Sequence, residues 1–256
     1  MSLRFHEISE GDHRILDPIG PEKLALVGRV CGLTDASTVV DLCCGKAELL
    51  AMWHEAHGIA GIGVDLSPVF VAAARTRLAA AGATGQIEIV EGEAAAWARE
   101  RHAVCDRGEA DRADVVCCVG ATWSGGGFGG TLDLLLPLVR PGGYVVVGEC
   151  HRHHDAPEHL TPAGALDEFV PLASLLDVAE AHDLELVEMV LANTDEWDRY
   201  VAAQWHTVDR YLAAHPDDPE AADLHAWIAD SRRAYLTWQR DSIGWGIFVM
   251  RAPTAG

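Results

Sequence analysis

No stretch of this chain reaches the length that a membrane-spanning helix needs. The opening Met1-Ser2-Leu3-Arg4-Phe5-His6-Glu7 lacks the apolar core of a secretory signal, so none is expected. Basic residues are scarce: 19 Lys and Arg stand against 39 Asp and Glu, for a formal net charge of −20. A surface that grips phosphate backbones has to be basic, so this balance argues against a nucleic-acid partner. It argues equally against anionic membranes. A disulfide framework is missing too. The cysteines number seven, and Cys43-Cys44 and Cys117-Cys118 are sequence neighbours that cannot make ordinary bridges. With Cys150 they fall on apolar strands or strand ends and read as small buried residues in a reducing compartment, which makes the expected location cytoplasmic. Internal repeats and low-complexity tracts are also absent.

What is present is a globular composition, 49% apolar and 23% charged over 256 residues. That is enough for one large domain with an insertion or cap, and for a sizeable core. The chain is organised around Val39-Val40-Asp41-Leu42-Cys43-Cys44-Gly45-Lys46-Ala47. The run reads as a buried strand, a tight turn of small residues, and then a helix in which Leu49, Leu50, Met52, Trp53 and Ala56 keep helical spacing up to Gly58. Small residues let a ligand approach the main chain, and the free N–H groups of the helix start suit a negative group. The acid at Asp41 suits a cationic or ammonium-bearing ligand.

From residue 38 the pattern alternates strand and helix. Strands are expected at 38–43, 61–66, 86–90, 113–120, 144–148, 184–192 and 244–251. Helices are expected at 69–81, where Ser67-Pro68 supplies a cap and a first-turn proline, at 95–105, at 132–139, shortened by Pro137, and at 171–183. The first, second and fourth strands are apolar almost throughout, which marks parallel strands covered on both faces. Ahead of them, residues 1–36 form an N-terminal helical segment, with short helices expected at 7–16 and 22–31. Residues 193–242 read as a helical cap insertion, broken by Pro216-Asp217-Asp218-Pro219, that concentrates Trp197, Trp205, Trp227 and Trp238. The core domain is then 37–192 together with 243–256.

Acids follow three successive strands: Asp41, Asp65 and Glu93. Asp65 lies 24 residues after Asp41, close to the spacing at which an acid ending the second strand meets a ribose diol. A second cluster, Glu149, His151, His153, His154 and Asp155, follows the fifth strand. A His or Glu there can take a proton from a substrate atom; the alternative is a polar loop with solvent histidines. Cys150, His151, His154 and Asp155 have metal-ligand character but match no closed zinc spacing, so no metal is assigned.

Asp41-Leu42-Cys43-Cys44-Gly45-Lys46-Ala47 resembles the acid-x-Gly-x-Gly-x-Gly signature of class I S-adenosylmethionine-dependent methyltransferases, with Cys43 and Ala47 in place of two glycines. The Arg140-Pro141-Gly142-Gly143 turn before the fifth strand is similar to that family as well. Residues 5–15, Gly120-Ala121-Thr122-Trp123 and Gly244-Trp245-Gly246 resemble a subgroup of small bacterial methyltransferases. The resemblance covers about 36–192 and 243–252. It implies a doubly wound, Rossmann-like α/β fold: a seven-stranded, mostly parallel sheet with an antiparallel last strand. It implies S-adenosylmethionine as cofactor, with Asp41, Cys43 and Gly45 at the turn, Asp65 on the ribose hydroxyls, Leu66 on the adenine face, and Glu93 with the Ala94 N–H at the adenine amino group. Val119 and Gly120 would lie near the amino-acid end, and His13 belongs to a segment that would cross the cofactor. The acceptor would be a small molecule, neutral or cationic given the charge, lined by Trp123, His151 and Trp205, with His151 the first choice of base and Glu149 the second. A non-catalytic binding or regulatory protein of the same fold is the alternative. A nicotinamide oxidoreductase is disfavoured because Cys43–Glu48 lacks two glycines of Gly-x-Gly-x-x-Gly.

Overall fold

The computed structural model describes residues 2–156, 159, 161–167 and 169–254. Seven strands form one sheet: β1 (Thr38–Leu42), β2 (Ala60–Asp65), β3 (Ile87–Glu91), β4 (Ala113–Val119), β5 (Val139–Arg152), β6 (Glu185–Leu191) and β7 (Ile243–Arg251). Their order across the sheet is β3-β2-β1-β4-β5-β7-β6. The pairs from β3 through β5 are parallel, and β7 runs antiparallel to both β5 and β6. The expected sheet and its antiparallel last strand are both observed. The order reverses direction at β1 and β4, and at such switch points an open α/β sheet leaves a crevice beyond its carboxyl strand ends.

Alternate residues of the central strands serve two cores, which is why those strands are apolar on both faces. Val39, Val115, Cys117 and Val146 pack with α2 (Pro21–Val30), α3 (Glu48–His57) and α4 (Pro68–Ala80). Val40, Leu42, Val116, Cys118, Val145 and Val147 pack with α5 (Ala94–Asp106), α6 (Phe128–Leu135) and α7 (Leu172–Ala181). At about 25 cal/mol per Å² of apolar surface, this two-sided burial is the main force holding the sheet between its helix layers. Between β6 and β7 the chain forms α8 (Thr194–Ala214) and α9 (Ala221–Ala234). Asn193 and Glu196 start α8 with a reciprocal capping box. Among the described residues no helix is long and apolar enough to cross a membrane.

Three elements depart from expectation. The first helix, α1, is Leu3–Ser9, not 7–16. Its Phe5 packs with Val208, Leu224 and Ile228 of α8 and α9, and Lys46 takes the carbonyls just beyond its end, so the chain leaves the helix there. Helix α6 starts at Phe128, not 132, because Gly126 and Gly127 adopt φ of +83° and +104° and make the turn themselves. Pro137 falls in a closing turn, Leu136–Leu138. Strand β5 does not stop at 148. Glu149, Cys150, His151 and Arg152 continue it, paired with Gly246, Trp245, Gly244 and Ile243 of β7.

Candidate functional site

The turn from β1 into α3 is built from three left-handed residues: Cys43 at φ +59°, Gly45 at +54° and Ala47 at +56°. An L-residue in that region costs about 1–2 kcal/mol, so Cys43 and Ala47 hold strained positions where a glycine would not. Burial offsets part of this cost, since the Ala47 methyl is fully enclosed and a buried methyl contributes about 0.8 kcal/mol. Hydrogen bonds close the turn, from Ala47 N–H to the Cys44 carbonyl (2.9 Å) and from Cys44 N–H to the Val64 carbonyl (3.0 Å). Gly45 has to lack a side chain: a Cβ there would lie 2.6 Å from Leu16 Cδ1. The segment between α1 and α2 therefore lies directly on the turn.

Asp65 binds the turn to the end of β2. Its carboxylate accepts from Gly45 N–H (2.8 Å) and Ser67 N–H (2.9 Å). Burial raises its pKa, and these two N–H groups pull it back down. A carboxylate has about four acceptor positions, so two remain for a ligand such as a diol. Leu66 beside it is 52% exposed. Glu93 is arranged differently from the expectation. Its two oxygens cap α5, accepting from Ala95 N–H (3.1 Å) and Ala96 N–H (2.6 Å), so the carboxylate is turned onto its own helix. Ala94, next to it, is buried.

On the other side of the turn a cavity of about 50 Å³ is lined by Asp17, Asp41, Cys43, Gly45 and Val119 among others. It has room for one or two water-sized groups. Asp41, 3% exposed, is pushed well above the ordinary carboxylate range by burial and further by Cys43, Asp17 and Asp65. Cys43 Sγ lies 3.4 Å from Ser124 Oγ, and its pKa is lowered chiefly by a hydrogen bond with Cys118. Gly120, at φ +78°, ends β4 with its Cα against the Asp17 carboxylate: a Cβ would come within 1.9 Å of Oδ1. The nearby cations are engaged elsewhere. Arg14 pairs with Glu48, and Lys46 donates to the carbonyls of Glu10 (2.8 Å), Gly11 (2.8 Å) and His13 (2.7 Å). Sequence reasoning missed Asp17 and Lys46. Asp17-Pro18 reads as a helix breaker, and Lys46 as a variable position inside the glycine signature.

His13 sits near these groups but not in this cavity. Its ring lies 4.8 Å from that of Tyr200, with Nδ1 3.0 Å from Glu10 Oε2, facing a larger cavity of about 620 Å³ between the N-terminal segment, α3 and α8. Only its carbonyl reaches the turn, through Lys46.

Beyond β4 and β5, Trp123 is 75% exposed on a short turn and Glu149 is partly buried. Glu149 accepts from the Thr122 hydroxyl and from Cys150 N–H (2.8 Å). Burial raises its pKa against the pull of both donors. His151 corrects the expectation. As part of β5 it is 2% exposed, and its ring fills the space left by Gly244, where a Cβ would be 2.3 Å from Cε1. Burial lowers its pKa, and neither ring nitrogen has a partner among the described residues. His153, His154 and Asp155 are exposed. Trp205 is a second correction. It packs beside Phe5, Val208, Leu224 and Ile228, edge-on to Tyr235 and under Arg232, so it belongs to the interior of the helical insertion and not to the β4–β5 edge.

A family profile described as a methyltransferase domain matches residues 39–143, which contain the turn, the Asp65 strand end and β4. The uncharacterized protein YjhP of Escherichia coli (strain K12) is 36% identical over 253 residues, covering 97% of this chain and 98% of that one. A crystal structure of an S-adenosylmethionine-dependent methyltransferase from Geobacter sulfurreducens in complex with S-adenosyl-L-homocysteine is 37% identical. It covers 97% of this chain and 98% of that one, with a TM-score of 0.87. A like-named enzyme from Thiobacillus denitrificans, also in complex with S-adenosyl-L-homocysteine, is 37% identical over 98% of this chain and 99% of that one, with a TM-score of 0.86. Turn, strand order and kinship agree: this chain belongs to the class I S-adenosylmethionine-dependent methyltransferases.

Proposed function

We propose that the chain transfers the methyl group of S-adenosylmethionine to a small neutral or cationic molecule bound beyond the carboxyl ends of β4 and β5. The observation that carries this reading is electrostatic. Glu149 stands at the β5 end with its pKa raised by burial, and among the described residues it is paired with no cation. Such an edge favours positive groups, and an anion would have to approach an uncompensated carboxylate against the field of a chain carrying a net charge of −20.

The residues present fit the cofactor. Asp65 keeps free acceptor positions, and the exposed Leu66 offers a flat contact. When bound, the cofactor supplies a sulfonium methyl. The protein's part is to hold the acceptor atom in line with it, which can carry much of the rate. Glu149 is now the better placed group to take the acceptor's proton, with Thr122 fixing its carboxylate; His151 stands behind it in the β5–β7 ladder. Residues 193–242 serve as a cap over the acceptor, which enters between them and the β4–β5 edge.

The test is to offer purified protein and S-adenosylmethionine a panel of small amines, phenols, thiols and carboxylates, and to measure S-adenosylhomocysteine formation. Turnover with neutral or cationic acceptors is expected. Turnover confined to anionic acceptors would overturn the substrate class.

A further inference from the structure

The cysteines of the fold are all free, and Cys43 stands apart among them. Burial pushes the thiols of Cys31, Cys44, Cys117 and Cys150 up. Cys43 is partly exposed and shifted the other way, chiefly by a hydrogen bond from Cys118, with burial opposing and Ser124 assisting. Ser124 Oγ lies 3.4 Å from its sulfur. Cys118 is 1% exposed, and donating to Cys43 holds its own thiol up. One thiol is therefore reachable and inclined to ionise, and a second, protonated one rests against it.

The strand register brings these two together. Asp41 of β1 pairs with Cys117 of β4, so Cys43 lies diagonally across from Cys118 on the neighbouring strand. Strands about 4.8 Å apart with a rise of about 3.3 Å per residue put the two Cα atoms about 6 Å apart, within the span of a disulfide. In a continued strand Cys43 would point away from the face of Leu42 and Cys118. Its φ of +59° ends that alternation, and Cys43 packs in the same core layer as both. The other two neighbours turn elsewhere. Cys117 belongs to the opposite layer, and Cys44 Sγ points at β2, where a Cβ on Gly63 would lie 2.7 Å from it. A left-handed backbone costs any residue but glycine, and here it holds a thiol against a thiol.

We infer that Cys43 is a site of oxidation by hydroperoxides, and that Cys118 resolves it as a disulfide joining the ends of β1 and β4. The Cys43 thiolate attacks one peroxide oxygen: an S–O bond forms, the O–O bond breaks, and hydroxide leaves, or alkoxide from an organic hydroperoxide. The sulfur gives up two electrons and the peroxide takes them. Cys118 then attacks the sulfenic sulfur. An S–S bond forms, the S–O bond breaks, and the departing hydroxide leaves as water with the Cys118 proton. Cys43 also lines the cavity beside Asp41 and Gly45, so the bridge draws it off Ser124 and re-aims the turn. Oxidation should therefore weaken cofactor binding by about 10-fold or more, the loss expected when a contact or two at the turn is misplaced. Only that consequence rests on the cofactor placement given under Proposed function.

Hydrogen peroxide on the folded full chain tests it, read by peptide mass spectrometry after free thiols are blocked, with calorimetry of S-adenosylhomocysteine alongside. Wild type should yield a peptide pair linked through Cys43 and Cys118, reversed by dithiothreitol. Cys118→Ala should instead accumulate a Cys43 sulfenic acid that dimedone traps. Cys43→Gly, a residue suited to the left-handed position, should give no bridge, and its affinity for S-adenosylhomocysteine should no longer change on peroxide treatment. Oxidised wild type should bind S-adenosylhomocysteine at least about 10-fold more weakly and recover with dithiothreitol. Cys43 left reduced, or driven to sulfinic acid with no bridge, overturns the inference and leaves the cofactor reading intact. A bridge that leaves the affinity unchanged overturns its effect on the turn. Reduced wild type that does not bind S-adenosylhomocysteine overturns the cofactor placement alone, because the bridge is read by mass.

Discussion

Asp65, Glu149 and His151 show how far a single residue can be read in advance. Asp65 was legible because a strand ending in an acid, followed by a Ser-Pro helix start, announces itself over a few residues. The additional role of Asp65, accepting from Gly45 N–H, was not, since it joins residues from two different loops. His151 was misplaced because Glu149-Cys150-His151-Arg152 is too polar to look like strand; only pairing with β7, about a hundred residues later, makes it one. The roles of Glu149 and His151 separate experimentally. Burial raises the Glu149 pKa, so Glu149 becomes a competent base only as pH rises through that raised value. Once an acceptor is in hand, wild-type turnover should climb over that range, and Glu149→Gln should lose about 10²-fold or more and flatten the climb. His151→Ala should instead lower the melting temperature through lost packing against Gly244 and leave the shape of the pH profile unchanged. Stopped turnover measured from pH 5 to 9 on both variants checks this, and a pH limb that vanishes only in His151→Ala would restore histidine as the base.

At the scale of elements, the strands and the helices that cover them follow from local patterns, because a parallel sheet buried on both faces requires continuous apolar runs. The parts that were not legible are contacts between distant segments. Nothing near residue 46 indicates that its ammonium will accept no carboxylate partner and instead donate to three carbonyls just past α1. That strap fastens the N-terminal segment across the turn between β1 and α3. Lys46→Met removes three charge-assisted hydrogen bonds and exposes three carbonyls, so the local opening of residues 10–17 should become easier by about 2 kcal/mol. Hydrogen exchange should show faster amides there, with the cluster of Phe5, Val208, Leu224 and Ile228 less affected, and S-adenosylhomocysteine should dissociate faster. Unchanged exchange in 10–17 would mean that Leu16 on Gly45 and Tyr200 on Glu10 suffice to hold the segment.

The whole molecule adds an electrostatic field and a division of labour. Its composition was the plainest part of the sequence, and a net charge of −20 predicts a kinetic asymmetry between two nearly identical ligands. S-adenosylmethionine carries one more positive charge than S-adenosylhomocysteine, so the field steers it alone. Stopped-flow association should slow for S-adenosylmethionine as ionic strength rises and stay nearly flat for S-adenosylhomocysteine. Parallel salt dependence for both would show that the local field at the site is neutral despite the total.

The central claim is spatial: the cofactor lies along the β1–β4 ends, with its sulfur directed to Trp123 and Glu149. A crystal structure of this chain with S-adenosylhomocysteine tests that most directly. The ribose hydroxyls should rest on Asp65, the adenine beside Leu66, and the sulfur should face the β4–β5 edge. A ligand seated in the larger cavity between α3 and α8, or a nucleoside reversed along the edge so that its adenine meets Asp41, would contradict the account.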